Sequence, residues 1–336
     1  MPDPIDEGYR MPAEWTPHAR CWMAWPCHEP TFLDLPAGRS AFAEVARTIA
    51  RFEPVTMIAN PEHVDDAREQ CGETVDVLPL EIDDSWARDT GPTYLVDDRR
   101  NLAAVDWLFN NYGELDPDYE NDKLIARRLI EQSRARRFEA PIFLEGGAIH
   151  TDGQGTLLTT ESVVLNPNRN PGLTKKDAEA VFRAYLGADQ VVWLDKALDI
   201  DTTGGHVDNL ACFIRPGVVA ALATSDPEDS QYEPLRENLR RLESAQDAAG
   251  RSLEIIEIEQ PARQEFGGNR VCASYINFYI ANSAIVLPVF GDPADRLAVE
   301  TLERAFPDRL VAPVPGLDIV RAGGCVHCIT QQQPAA

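Results

Sequence analysis

The chain has 336 residues, with 31 Lys and Arg against 55 Asp and Glu and a formal net charge of −24 at pH 7. So acidic a surface repels phosphate, which argues against a nucleic acid or an anionic membrane as partner. A hydrophobic fraction of 44% and a charged fraction of 26% exclude a mainly disordered chain. No stretch reaches the ~20 apolar residues of a bilayer span. Residues Met1–Arg10 have neither a basic nor an apolar region of a secretory leader, so a cytoplasmic protein is expected.

In chain order, the first amphipathic stretch predicts a helix over Ser40–Arg51. β-Branched runs then predict strands at Val55–Ala59, Val75–Leu80, Thr93–Val96 and Leu102–Asp106, followed by a helix over Asp122–Glu131. Thr156–Thr159 reads as a strand and Lys175–Tyr185 as a helix capped by Thr174, with strands at Val191–Leu194, Leu210–Ile214 and Val218–Ala223 after it. The polar segment Asp226–Glu233 reads as a loop before a helix over Pro234–Ala248, which Gly250 follows as a stop. Strands at Leu253–Ile258, Tyr275–Ile280 and Ala284–Val289, a helix over Asp292–Ala305 and a strand at Leu310–Val314 complete the series. About a dozen strands to five helices exceeds what one-to-one alternation supplies, so a simple doubly wound sheet or an eightfold βα barrel would leave strands unplaced. The order fits a repeated ββαβ-like unit. No linker or charge block divides the chain, and one domain over residues 1–336 is expected.

Four motifs carry chemistry. Near the C-terminus, Gly323-Gly324-Cys325-Val326-His327-Cys328 puts a thiol after paired glycines, where backbone can approach a ligand closely. The same letters can be read as a redox dithiol or as half a zinc site, although no second ligand pair accompanies them. Gly204-Gly205-His206-Val207-Asp208 precedes a strand, and alternation along an extended chain puts His206 and Asp208 on one face. Glu145 ends an apolar run before Gly146-Gly147, a natural place for a carboxylate at a strand end, with His150 the lesser candidate. Asp83, Asp84 and Asp89 surround Trp86 and offer charge and a π face to a planar cation, with Arg88 available to pair with one of them. The seven cysteines are odd in number and dispersed, which fits reduced thiols.

Taken together, the motifs resemble the agmatine deiminase family of guanidino-group-modifying enzymes, related to bacterial peptidyl-arginine deiminases. The resemblance runs through Met11-Pro12-Ala13-Glu14-Trp15, Trp22-Met23-Ala24-Trp25-Pro26, Trp86–Pro92, Leu144–Gly147, Leu165–Pro171, Gly205–Asn209, Tyr275–Tyr279 and His327–Gln332. It implies a five-bladed, pseudo-symmetric α/β propeller of ββαβ-like units. It further implies hydrolysis of agmatine to N-carbamoylputrescine and ammonia, in putrescine biosynthesis, with neither a metal nor an organic cofactor. By the same resemblance Cys328 is the nucleophile, His206 the general acid and base, and Glu145 the residue that orients His206. Asp89 and Asp208 clamp the guanidinium, Trp86 stacks on it and Asp84 reaches the distal ammonium. Residues Asp106–Tyr119, with no basic side chain to hold a carboxylate, are expected to line the site. Agmatine therefore leads arginine and peptidyl-arginine as substrate. A thiol–disulfide oxidoreductase built on Cys325 and Cys328, or a silent polyamine-binding propeller, stand as alternatives, and a homo-oligomer is compatible with the sequence.

Overall fold

Five sheets repeat one hydrogen-bonding pattern in the computed structural model, which describes residues 2–195, 198 and 201–336. In each, an antiparallel pair is extended by a parallel strand, and a helix links the second strand to the third. The second unit is Thr93–Val96, Leu102–Leu108, helix Ile125–Ser133 and Arg136–Phe143. The third is Ile149–Thr151, Thr156–Thr160, helix Lys175–Leu186 and Gln190–Leu194. The fourth is Ala211–Arg215, Val218–Ala223, helix Tyr232–Ser244 and Glu254–Glu259. The fifth is Tyr279–Ala281, Ala284–Val289, helix Asp295–Ala305 and Leu310–Pro315. The first unit is built from both ends of the chain. His18–Ala24 pairs in parallel with Val55–Ala59 and antiparallel with Gln331–Pro334, with Trp22 opposite Gln331. Helices Leu35–Ile49 and Val64–Cys71 and an extra parallel strand, Val75–Pro79, complete it. The result is an α/β fold of ββαβ order.

Local sequence explains these elements. Val218–Ala223 and Val55–Ala59 lie between two neighbouring strands, and every residue of both is buried, so they read as unbroken apolar runs. Helix Lys175–Leu186 opens on a reciprocal capping box between Thr174 and Asp177 and closes on Gly187 at φ +72°; its buried face is Ala178, Phe182 and Leu186, spaced four apart.

The structure corrects several sequence expectations. The strand expected from Tyr275 begins only at Tyr279, because Ser274–Phe278 turns and carries Asn277 inward. Gly250 does not stop the fourth helix, which ends at Ser244. The strands His18–Ala24, Arg136–Phe143, Ile149–Thr151 and Gln331–Pro334, and the helix Val64–Cys71, were not expected.

Candidate active site

The segments that enter the antiparallel strand of each unit carry the chemistry. A helical turn, Ala87–Thr90, presents Asp89 before Thr93, and the turn Gly146–Ala148 follows Glu145 before Ile149. A third turn, Val207–Asn209, carries Asp208 directly after His206, Asn277 precedes Tyr279, and Cys328 precedes Gln331. The equivalent step of each repeat thus delivers its polar residues to one place.

Cys328 Sγ accepts a hydrogen bond from Asn277 Nδ2 at 3.2 Å and stands 3.6 Å from Asp208 Oδ2. His206 lies between two carboxylates, with Nδ1 3.6 Å from Asp89 Oδ1 and Nε2 3.5 Å from Glu145 Oε2. These are ion-pair rather than hydrogen-bond separations, and neither ring nitrogen has a hydrogen-bond partner among the described residues. Gly147 marks where the groups meet. A Cβ there would lie 2.5 Å from His206 Nδ1 and 2.9 Å from both Asp208 Oδ2 and Asp89 Oδ1, so any larger residue would collide with them. Gly324 does the same for the nucleophile's turn, where a Cβ would meet the Trp86 ring at 2.5 Å and Cys328 Cβ at 3.0 Å.

Each acid is held by named donors. Asp89 accepts from the Gly147 amide through Oδ1 at 2.9 Å and from the Tyr112 hydroxyl through Oδ2 at 3.0 Å. Glu145 Oε1 accepts from Arg169 Nε at 3.0 Å, and Arg169 in turn donates to the Thr203 carbonyl at 2.6 Å. Asp208 Oδ2 accepts from His327 Nδ1 at 2.9 Å, whereas its Oδ1 has no hydrogen-bond partner among the described residues. Burial opposes charge throughout this cluster, and the neighbours decide the outcome. It raises Asp89 to about 6, with His206 opposing the rise and Asp208 adding to it. It would lower His206, but Asp89, Glu145 and Asp208 outweigh it and raise that imidazole to about 9. It would raise Glu145, yet His206 and Arg169 hold this carboxyl below its usual range. Cys328 is pushed well above an ordinary thiol by burial and then by Asp208 and Asp89, so without a cation beside it the sulfur is protonated.

A cavity of about 210 Å³ opens beside this cluster. Cys328, Asp89, Trp86, Gly323 and Gly324 line it together with His28, Asp84, Asp116, Asp118 and Asp122. Among the described residues that line it there is no lysine or arginine. Trp86 reaches it in a fixed pose, with its indole N–H donating to Asp84 at 3.0 Å and its ring stacked on Phe32 at 6.2 Å between centroids. Tyr112 is held over Asp89 by an unusual backbone: Asn111, Tyr112, Gly113 and Glu114 all have φ between +49° and +89°, a run of left-handed residues concentrated at the site.

All seven residues proposed from the sequence therefore belong to one neighbourhood, and of them Cys328, Asp89, Trp86 and Asp84 line the cavity. Two details differ. Arg88 pairs with no acid among the described residues; its Nε donates to the His327 carbonyl and its Nη1 to Gln332. Asp83 turns away from Trp86 and accepts from the Asn121 and Asp122 amides. The expected lining segment Asp106–Tyr119 does contribute Asn111, Tyr112, Leu115, Asp116 and Asp118 to the cavity, whereas the hold of Tyr112 on Asp89, the hold of Arg169 on Glu145 and the contact of Asn277 with the sulfur were not foreseen.

Comparison with known proteins gives this geometry its relatives. The family model of the Porphyromonas-type peptidyl-arginine deiminases matches residues 10–334. The chain belongs to that family. Within it, the agmatine deiminase of Stutzerimonas stutzeri is 43% identical over 99% of this chain and 97% of its own length. That of Pseudomonas aeruginosa (strain UCBPP-PA14) is 42% identical over the same shares. A solved structure of the Enterococcus faecalis agmatine deiminase, described as catalysing its reaction, superposes with a TM-score of 0.96 at 34% identity, covering all of this chain and 98% of that one. Among the described residues no helix is long and apolar enough to cross a membrane.

Proposed function

We propose that this deiminase-family chain hydrolyses agmatine to N-carbamoylputrescine and ammonia, with Cys328 as nucleophile. The observation that carries this reading is the convergence of Cys328, His206, Asp89, Asp208 and Glu145 beside one acid-lined cavity. Asp89 and Asp208 bind the guanidinium nitrogens by charge-assisted hydrogen bonds and fix its plane. The arriving cation offsets the two carboxylates that suppress ionisation of the thiol, so the Cys328 proton leaves as the guanidinium enters, with no change in net charge. The thiolate adds to the guanidinium carbon. His206, protonated in the free site, donates its proton to the departing nitrogen; the C–N bond breaks and ammonia is released. The S-amidino group left on Cys328 is then attacked by water, whose proton His206 takes. Cleavage of the C–S bond returns the thiolate and frees the ureido product. Glu145 orients and stabilises the charged imidazole, as the third member of a triad does.

The lining of the cavity supports agmatine over arginine. Asp84, Asp116 and Asp118 suit a distal ammonium, whereas an α-carboxylate would meet these acids with no lysine or arginine among the described lining residues and with His28 already beside Asp84 and Asp116. The five ββαβ units fit five blades of a single catalytic domain, residues 1–336, placed around a central axis, since each contributes a site residue from the same step of its repeat. Seven free cysteines fit a reducing, cytoplasmic compartment. The deciding experiment is ammonia release from agmatine, free arginine and a C-terminal-arginine peptide. Agmatine should be preferred; turnover of the peptide alone would move the assignment to peptidyl-arginine, and release from none of them would overturn it.

A further inference from the structure

A second histidine, next to the nucleophile in sequence, has no place in the chemistry above. His327 Nδ1 is 2.9 Å from Asp208 Oδ2 and its Nε2 is 2.9 Å from Glu14 Oε2. An ionised carboxylate only accepts hydrogen bonds, so a ring joined to two of them carries a proton on each nitrogen. Glu14 is fixed from the other side as well. Its Oε1 accepts the Ile280 amide at 2.9 Å, and its Oε2 lies 3.4 Å from His150 Nε2. His150 Nδ1 accepts the Phe213 amide at 3.2 Å, which puts the His150 proton on Nε2, facing Glu14. Glu14, His150, His327 and Asp208 are each no more than 4% exposed, so water screens none of these contacts.

We propose that Glu14 and His327 form a positioning dyad that holds Asp208 ionised and turned, so that its one unpartnered oxygen, Oδ1, meets the substrate guanidinium. Glu14 comes from the segment before the strand His18–Ala24 and His327 from the segment before its antiparallel partner Gln331–Pro334, so the pairing that joins the two ends of the chain also sets the clamp. The charged groups facing the dyad are Arg88, His150, Asp208 and Glu14 around His327, with His206, Asp89 and Asp201 further around Asp208. Burial and then Arg88 oppose charge on His327, yet Glu14 and Asp208 prevail and raise its pKa. Burial opposes charge on Asp208, and His327 prevails in turn, holding that carboxyl below its usual range. Glu14 is held well below its usual range, against burial, first by His327 and then by His150.

The proposal rests on agmatine deimination for its kinetic arm only. In that arm the full chain is compared with Glu14→Gln by ammonia release from agmatine across pH 5–10. The variant keeps the ring and its bond to Asp208 but removes the charge that secures the imidazolium. Its KM for agmatine should rise about tenfold, while both limbs of kcat/KM, set by Asp89 and His206, stay in place because Asp208 starts from below the usual carboxylate range. A merely structural role for Glu14 would lower the active fraction and thermal stability and leave KM in place, and that result would overturn the proposal. The second arm needs no turnover. With ¹⁵N-labelled histidine, the His327 signals, assigned by their loss in His327→Gln or, should that variant not fold, in His327→Asn, should report two ring protons at pH 7 in the parent and a single one in Glu14→Gln. A neutral His327 in the parent at pH 7 would overturn the dyad whether or not the chain deiminates agmatine, whereas absence of ammonia release with a doubly protonated His327 would sink only the assigned reaction.

Discussion

Two buried imidazoles each lie between a pair of carboxylates, and their spacings differ. His327 touches Asp208 and Glu14 at 2.9 Å each, whereas His206 stands 3.6 and 3.5 Å from Asp89 and Glu145. The short contacts commit both protons of His327 to fixed acceptors and so make it a strut. The longer contacts keep His206 charged through the field of its acids while its N–H groups stay uncommitted, which a group that must hand over a proton and recover it requires. The same pair of residue types becomes scaffold or reagent according to a difference of 0.6–0.7 Å.

The comparison breaks most completely at Cys328, whose sulfur stands beside Asp208, the acid that His327 holds. Cys328→Ser should abolish ammonia release while retaining agmatine binding, as measured by calorimetry; residual turnover near that of the parent would remove the covalent route and the thiol–disulfide alternative together. His206→Ala should follow, with a loss of turnover of ~10²–10⁴-fold in a folded protein, the usual worth of general acid–base catalysis. Near-normal kcat would show that the loosely held imidazole is not the proton carrier.

The pH profile sharpens the difference between the rings. In the free enzyme the clamp needs Asp89 ionised, with a pKa of about 6, and the leaving group needs His206 protonated, with a pKa of about 9. A plot of kcat/KM should therefore be bell-shaped, rising through pH 6 and falling through pH 9, and Asp89→Asn should remove the acid limb along with most of the guanidine affinity. Stability carries the same sign. The folded pKa of His206 lies above its unfolded value of 6.5, so its contribution is fully present below pH 6.5 and is lost as pH rises through 9. Chemical denaturation between pH 6 and 9.5 should show that decline in the parent and less of it in His206→Gln.

How much of this was legible follows from what each residue does. Cys328, His206, Asp208 and Glu145 stood out because reactive side chains beside glycines are awkward as core and natural at strand ends, and the glycines prove necessary where Gly147 and Gly324 admit no Cβ. Asn277 was hidden because Tyr275–Ile280 alternates like a strand, and only the turn at Ser274–Phe278 reveals its inward amide. Gln331–Pro334 was illegible as a strand, since three glutamines and a proline lack apolar alternation; pairing to the buried strand His18–Ala24 supplies what propensity does not. His327 and Glu14 lie 313 positions apart, a proximity no local pattern encodes.

Away from the centre, changes should touch stability and leave both rings alone. Phe182→Ala removes a fully buried ring from the third unit's helix, Lys175–Leu186, and should cost about 3–5 kcal/mol, read as a lower denaturation midpoint, with the pH limbs of the surviving enzyme unchanged.

The smallest expected effect is the most discriminating about where function resides. Thr174 caps the same helix from the protein's exterior, its hydroxyl accepting the Asp177 amide while the Asp177 carboxylate accepts from Thr174. Thr174→Ala leaves that amide to solvent and should lower stability by about 1 kcal/mol. The helix lies between the parallel strands Thr156–Thr160 and Gln190–Leu194, and the same unit's first strand follows directly from Glu145 and Gly147. If the outer helix and the inner turn were one mechanical body, loosening the cap would also change kcat or shift the limb near pH 9. An unchanged profile beside a lowered melting temperature would show that the inner turns are fixed by their own hydrogen bonds, Gly147 to Asp89 and Arg169 to Glu145, rather than by the helices outside them.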